Sequence, residues 1–194
     1  MTAADWDARY AGGQQWSDEP NALAAQLLTG VTPGRALDVA AGEGRMSLWL
    51  ASLGWLVTAL DFSAAGIDRG RARAAERGLA VDWRVADITT AELGEQTHDL
   101  VLVLYLHLPR PRLAAVLERC AAAVAPGGRL LVLGHDRDNL TRGVGGPPDA
   151  AVLYDVALLR AAAGDLEVDR VEQVDRPVDG QVVVDTLLVA HRPR

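Results

Sequence analysis

Arg35-Ala-Leu-Asp38-Val-Ala-Ala-Gly42-Glu-Gly44-Arg45 joins a strand, a tight turn and a helix start in one short stretch. Leu37, Val39 and their alanine neighbours form the kind of apolar run that a strand buried on both faces requires, and the run stops at Gly42 and Gly44. Met46, Leu48, Trp49, Leu50 and Leu53 then recur near helical spacing up to Gly54, which predicts a helix with a glycine stop. Strand, glycine turn and helix together make a nucleotide-binding geometry. Glycines admit a ligand close to the backbone, and free N–H groups at a helix start bind its polar groups.

Asp38 stands out within the strand. A carboxylate near the end of a buried strand costs free energy unless it is hydrogen-bonded or paired, so it meets either backbone N–H groups or a ligand carrying positive charge. Asp61 closes a second apolar run, Trp55-Leu-Val-Thr-Ala-Leu60, at the spacing from Gly42 at which an acid on a neighbouring strand can bind ribose hydroxyls.

Taken in order, Asp38-Val-Ala-Ala-Gly42-Glu-Gly44, Asp61-Phe62-Ser63, Ala86-Asp87-Ile88 and Pro126-Gly-Gly128-Arg-Leu resemble the motif series of the class I S-adenosylmethionine-dependent methyltransferases. Gly42-Glu-Gly44-Arg45 and the tryptophan-rich N-terminus resemble more narrowly the small tellurite-resistance and thiopurine methyltransferase branch. The match covers about residues 5 to 134, and Ala40 departs from it, standing where many members have glycine. The resemblance implies a Rossmann-like α/β fold of seven mostly parallel strands, helices on both faces and an antiparallel C-terminal hairpin strand. It implies S-adenosyl-L-methionine as cofactor and methyl transfer to a small molecule, a thiol or other heteroatom. The cofactor-binding positions it implies are Asp38, Ala40, Gly42, Gly44 and Arg45 near the methionine part, with Asp61 and Phe62 at the ribose and adenine. Asp87 and Ile88 would lie at the adenine edge, and Leu104 would end a central strand beside the site. In the similar family an N-terminal aromatic segment covers the cofactor, which makes Trp6, Tyr10 and Trp16 either a lid or anchors that pin a polar tail to the domain.

Composition bounds the rest. The chain has 194 residues and is 49% hydrophobic, enough for one substantial core, so one domain is expected over residues 1 to 194. A net charge of -7 and a pI near 5.0 offer no basic surface to a nucleic-acid backbone. All 19 basic residues are arginine, which excludes Schiff-base and phosphate-loop lysines. Cys120 is the single cysteine, so an intrachain disulfide is excluded and a reducing, cytoplasmic home is expected. Neither a signal peptide nor an apolar run of about 20 residues is present, no metal-ligand spacing is seen, and the oligomeric state is not legible.

Along the chain, residues 1 to 20 are too polar for a core element, and Pro20 to Leu28 forms a short helix, the whole 1–30 segment acting as an N-terminal cap. Ser63 caps a helix running to Arg77, whose arginines 69, 71, 73 and 77 form a solvated face. Val81 to Val85 is a third strand. His98 to His107 is a central strand whose end, Tyr105 to Leu108, emerges near the glycine turn. Pro111 to Ala125 is a helix with Cys120 facing the core, ended by Pro126-Gly-Gly128, and Arg129 to Gly134 is a fifth strand. Residues 135–148 are a long glycine-rich loop and the candidate substrate wall. Asp149 to Ala163 is a helix. Leu166 to Val174 and Gln181 to His191 form a hairpin around Pro177, Asp179 and Gly180.

Alignment and water exclusion are the main needs of a methyl transfer, so no catalytic triad is expected. If the acceptor needs deprotonation, His107 or His135 can serve as base, against a structural role for each. Tyr105, His107, His135, Arg137 and Arg142 are candidate acceptor contacts, the arginines for an anionic substrate. Two rivals compete. An NAD-dependent dehydrogenase fits Gly42, Gly44 and Asp61, but Ser47 replaces the third glycine and Asp38 has no role in it. A non-catalytic S-adenosylmethionine-binding module has the same cofactor motifs.

Overall fold

Ala36 to Val39 are four consecutive buried residues, which is why the backbone there must satisfy itself within a sheet. The computed structural model describes residues 1–178 and 180–194. It divides into two units, Met1–Glu92 and Leu93–Arg194.

In the first unit, β1 (Arg35–Val39) pairs in parallel with β2 (Leu56–Asp61), and β2 in parallel with β3 (Val81–Val85). The connections are helices: α3 (Arg45–Ser52) after β1 and α4 (Ala64–Glu76) after β2. Ser63 caps α4 as expected, its side chain accepting from the Gly66 N–H. The helix expected from Pro20 is α2 (Ala22–Leu28), capped by the Asn21 side chain on the Ala24 N–H at 3.0 Å. Asn21→Ala should lower stability by about 1 kcal/mol and the thermal midpoint by roughly 2–4 °C, readable by calorimetry.

One expectation fails here. The first 20 residues do contain a packed element, α1 (Ala3–Ala11), set up by a capping box in which Thr2 and Asp5 bond each other's backbone N–H. Polarity hid it, because only Tyr10 of this helix is buried. A single large aromatic replaces the usual apolar stripe.

In the second unit, β4 (His98–Leu104) runs parallel to β5 (Val124–His135). β7 (Gln181–His191) is antiparallel to β5, and β6 (Glu167–Val178) is antiparallel to β7. The fully buried runs Leu100–Val103 and Leu130–Leu133 form this unit's core with Leu113 and Leu117 of α5 (Arg110–Ala123). Cys120 lies in that core, as expected. Among the described residues, seven strands, mostly parallel with an antiparallel C-terminal pair and helices between them, are the expected α/β content.

Four boundaries differ from expectation. β4 ends at Leu104 because Tyr105 turns into left-handed backbone, φ 57°. β5 begins at Val124, so Pro126-Gly-Gly128 lies inside the strand; a Cβ on Gly128 would press on the His98, Asp99 and Ala125 carbonyls, which is why glycine stands there. The 135–148 stretch is not all loop: His135 ends β5, and α6 (Asn139–Arg142) makes one turn. Residues 149–163 are not one helix. A 3₁₀ turn (Ala150–Val152) leads to Tyr154, which bridges to Asp136, and α7 (Val156–Ala162) then starts from an Asp155 cap. Tyr154 is fully buried, and seating its ring beside Gly134 breaks the helical run. In the hairpin turn, Asp179 lies outside the described residues.

Candidate functional site

The end of β1 sets the first cluster. Gly42 and Gly44 hold left-handed backbone at φ 59° and 77°, and Ala40 does so at 57°, which costs an alanine roughly 1 kcal/mol. A Cβ on Gly42 would strike the Tyr10 hydroxyl, and one on Gly44 the Trp83 ring. The turn is therefore tight against its own aromatic neighbours. Asp61, at the end of β2, accepts the Gly42 N–H on Oδ2 and the Ser63 N–H on Oδ1, both at 2.8 Å. Those two bonds leave further lone pairs on each oxygen for a ligand hydroxyl.

Asp38 is buried and receives the Ser47 hydroxyl at 2.5 Å. Burial pushes its carboxyl up to about 7, with the Asp61 charge adding to the rise and the Ser47 hydroxyl opposing it. Burial likewise raises Asp61, against the pull of its two backbone N–H bonds. Two buried carboxylates at neighbouring strand ends are costly to ionise by themselves, and a ligand carrying hydroxyls and a positive charge would offset that cost. The residues present fit the cofactor that the resemblance implies. The sign of the linkage is definite: a carboxyl whose folded pKa lies above its unfolded value favours the folded state below about pH 4 and loses that contribution as pH rises to about 7. Denaturant midpoints should therefore fall between pH 4.5 and 7.5. Asp38→Asn should flatten that slope, leaving the smaller share from Asp61.

Glu43, between the two glycines, is fully buried, and the sequence reading gave it no role. Its Oε1 accepts the Gln15 and Trp16 N–H groups at 2.9 Å each, and its Oε2 accepts Arg69 Nε at 3.1 Å. The arginines of α4 are not simply a solvated face, which corrects that expectation. Arg69 pairs with Glu43, Arg77 pairs with Asp18 at 2.7 Å, and Arg73 pairs with Asp18 as well. Asp7 of α1 accepts the Ser63 hydroxyl at 2.6 Å and the Ala65 N–H at 3.0 Å. Residues 7 to 18 are thus tied to the glycine turn and to α4 at several points. Among the expected aromatics, Tyr10 is buried on the turn, Trp6 stacks on Tyr10 with centroids 5.6 Å apart, and Trp16 stays nearly half exposed under the Arg45 guanidinium.

Asp87 closes a turn: its Oδ1 accepts the Thr89 N–H and hydroxyl at 2.8 Å each, while Ile88 is buried beside it. Phe62 is half-buried.

The second unit carries its own cluster at the ends of β4 and β5. Tyr105 and His107 follow Leu104, and His135 ends β5. The His107 and His135 rings stack at 5.4 Å and 10°, and Tyr105 lies 5.0 Å from His135. Both histidines and Tyr105, expected as candidates, are brought together. Two residues that sequence reasoning missed complete the group. Asp185 of β7 is fully buried, with Oδ1 3.0 Å from His135 Nδ1, while Oδ2 accepts the Tyr105 hydroxyl and Arg176 Nε at 2.9 Å each. Its signal was available: Asp185 interrupts the apolar run Val182 to Val189, as Asp38 interrupts β1. Arg142 is committed elsewhere, to Asp138, Asp175 and Gln173, and Arg137 is exposed. Among the described residues no group of three or more acids, histidines or cysteines is placed to hold a metal ion, and no helix is long and apolar enough to cross a membrane.

Comparison with known proteins adds a separate line. Residues 36–128 match the family model described as a methyltransferase domain. The ubiquinone biosynthesis O-methyltransferase of Stutzerimonas stutzeri is 34% identical over 119 residues, which cover 59% of this chain and 47% of that protein. Its counterpart in Xanthomonas axonopodis pv. citri is 33% identical over 101 residues, covering 50% and 41%. The chain thus spans less than half the length of these curated relatives. Among solved structures, TehB from Haemophilus influenzae matches at TM-score 0.76 and 18% identity over 89% of this chain and 62% of its own. A structure concerned with conversion of a disulfide bond into a thioacetal group during echinomycin biosynthesis matches at TM-score 0.75 and 23% identity over 100% and 92%. At these identities the structures establish the fold.

Proposed function

We propose that the chain is a class I S-adenosylmethionine-dependent methyltransferase that moves a methyl group from S-adenosylmethionine to a heteroatom of a small-molecule acceptor, a reading supported by the methyltransferase-domain match and the O-methyltransferase relatives. The observation that carries the proposal is the pair of buried carboxylates at the ends of β1 and β2, with Asp61 locked to the Gly42 N–H in the glycine turn. In this assignment Asp38, Ala40, Gly42, Gly44 and Arg45 receive the methionine part, Asp61 and Phe62 the ribose and adenine, and Asp87, Ile88 and Leu104 the base and its surroundings. Trp6, Tyr10 and Trp16 brace or cover that cradle, and residues 1–194 act as one methyltransferase domain. The cofactor supplies a sulfonium methyl already activated toward a nucleophile. The protein's own task is to bind, align and exclude water.

Ser47 weighs against a dehydrogenase. It occupies the third-glycine position, where the dinucleotide fingerprint has no side chain so that helix and strand pack closely, and its buried hydroxyl is bonded to Asp38 instead. For the acceptor, the relatives' names favour oxygen, while the tellurite-resistance and thiopurine resemblance favours sulfur or a chalcogen oxyanion. The side chains support a neutral acceptor over an oxyanion, because Arg142 is already compensated by acids and burial holds His107 uncharged, its pKa brought down to about 4.

Incubation with deuteromethyl S-adenosylmethionine and a panel of phenols, thiols and amines, read by mass spectrometry, tests the proposal. A labelled acceptor with stoichiometric S-adenosylhomocysteine is expected. Cofactor binding with no labelled product anywhere in the panel would favour the non-catalytic module instead.

A further inference from the structure

β3 closes one side of the first unit's sheet, paired with β2 and with no strand beyond it. The direction of its backbone groups follows from the parallel register. Ala86 N–H donates to the Asp61 carbonyl at 2.9 Å, and Arg84 stands opposite Leu60. Alternate residues of a parallel strand address the same neighbour, so Asp82 and Arg84 bond β2, while Val81, Trp83 and Val85 turn their N–H and C=O groups outward. β2 has the matching parity: Leu56 N–H donates to Gly34 and the Leu60 carbonyl accepts from Ala41, both on the β1 side. Among the described residues no backbone partner meets the outward groups of Val81, Trp83 and Val85. The side chains alternate as well. Trp83 lies against Gly44 and Gly70, which puts Val81, Trp83 and Val85 on the face that α4 covers, with Val85 still 51% exposed. Asp82 and Arg84 stand on the opposite face, half exposed and paired with each other at 2.7 Å.

We propose that this edge pairs with the same edge of a second copy of the chain, antiparallel about a two-fold axis at Trp83, to form a homodimer. The inference is independent of the methyltransferase reading. A two-fold axis perpendicular to a sheet makes one residue of an edge strand face itself, and its neighbours then pair symmetrically around it. Val81-Asp82-Trp83-Arg84-Val85 is self-complementary about its centre. With Trp83 on the axis, Val81 faces Val85 of the second copy and Asp82 faces Arg84 of the second copy, and each pairing occurs twice. The hydrogen-bond parity agrees. Trp83 and the two valines carry the outward groups, so they make the hydrogen-bonded pairs, and Asp82 and Arg84 fall in the non-hydrogen-bonded positions, where facing side chains come closest. The exposed Val85 is covered in the same step. An edge kept apart from other strands is blunted by a bulge, a proline or charge of one sign. β6, which also pairs on one side only, has such devices: a register shift between Val168 and Arg170, and Pro177. β3 has an unbroken register, no proline and two opposite charges placed to meet their complements.

Sedimentation equilibrium of the full chain from about 5 to 500 μM tests the proposal. The average mass is expected to rise from 20.6 kDa toward twice that value, and a chain that stays at the lower mass throughout overturns it. Arg84→Asp places like charges at both contacts and should weaken self-association by roughly 10-fold or more. Asp82→Arg should do the same. Mixed in equal amounts, the two variants restore opposite charges in every cross-strand pair, so the mixture should dimerise at least as well as the wild type. That recovery also shows that the single variants fold. A dimer indifferent to either substitution uses another surface, and a mixture that stays monomeric puts Asp82 and Arg84 out of register; each result overturns the proposal. Amide exchange gives a second readout on the wild type. Val81, Trp83 and Val85 should gain protection as concentration rises, while Asp82 and Arg84, already bonded to β2, should not. Exchange at Val81, Trp83 and Val85 that is the same at every concentration would assign any observed dimer to another surface and overturn the edge pairing.

Discussion

Asp61→Ala is expected to weaken S-adenosylhomocysteine binding by about 10²-fold or more in calorimetric titration. Hydrogen bonds to an ionised group contribute roughly 1.5–3 kcal/mol each, and a carboxylate facing two ribose hydroxyls makes two of them. The side chain also fixes the receiving geometry, because it anchors the Gly42 and Ser63 N–H groups at the two sides of the turn. The alanine variant loses both the ligand contact and that anchor. Asp61→Asn separates them: its amide oxygen can keep one N–H bond, but its NH₂ faces the other donor, so affinity should fall nearly as far. An Asp61→Ala protein that binds with wild-type affinity would remove Asp61 from the site.

The second large effect is structural. Glu43→Ala removes a fully buried carboxylate that gathers the Gln15 and Trp16 N–H groups and Arg69. Two backbone donors and a partly exposed cation are left without their acceptor, a loss of about 2–4 kcal/mol. Amide exchange should accelerate selectively in residues 12–18, while β1 and β2 keep their protection. Glu43→Gln retains one acceptor oxygen and should lose about half as much. The same pair of variants decides what the N-terminal segment does. A lid that covers ligand predicts weaker S-adenosylhomocysteine binding in Glu43→Ala, in proportion to the loosening; an anchor predicts unchanged affinity with lower stability. Uniform exchange across the first unit would contradict Glu43 as a local clasp.

What could be read before the structure was whatever depends on local pattern. Apolar runs ending in Gly42 and Asp61, the Ser63 cap and the long run through Leu104 each carry their own physical signature, and each lies where expected. The misses share a cause. α1 is stabilised by a capping box and one buried tyrosine rather than by an apolar stripe, so periodicity does not reveal it. The residues 149–163 have helical composition, but the demand that Tyr154 fill the space beside Gly134 overrides propensity. The arginines of α4 looked like a solvated face because their partners, Glu43 and Asp18, are 26 to 59 residues away in the chain. Among the candidate site residues, glycines and acids at strand ends were visible, whereas Asp185 and Arg176 enter only through the pairing of β7 with β5 and β6. A carboxylate inside an apolar strand marks both Asp38 and Asp185 in the sequence.

Calorimetric titration of the wild-type protein with S-adenosylhomocysteine, with NAD as the comparison ligand, addresses the central claim most directly. Saturable one-to-one binding of S-adenosylhomocysteine, with no heat from NAD, is the predicted result. Binding of NAD alone, or of neither ligand by folded protein, would contradict the account: the glycine turn would then serve only to seat Tyr10 and Trp83.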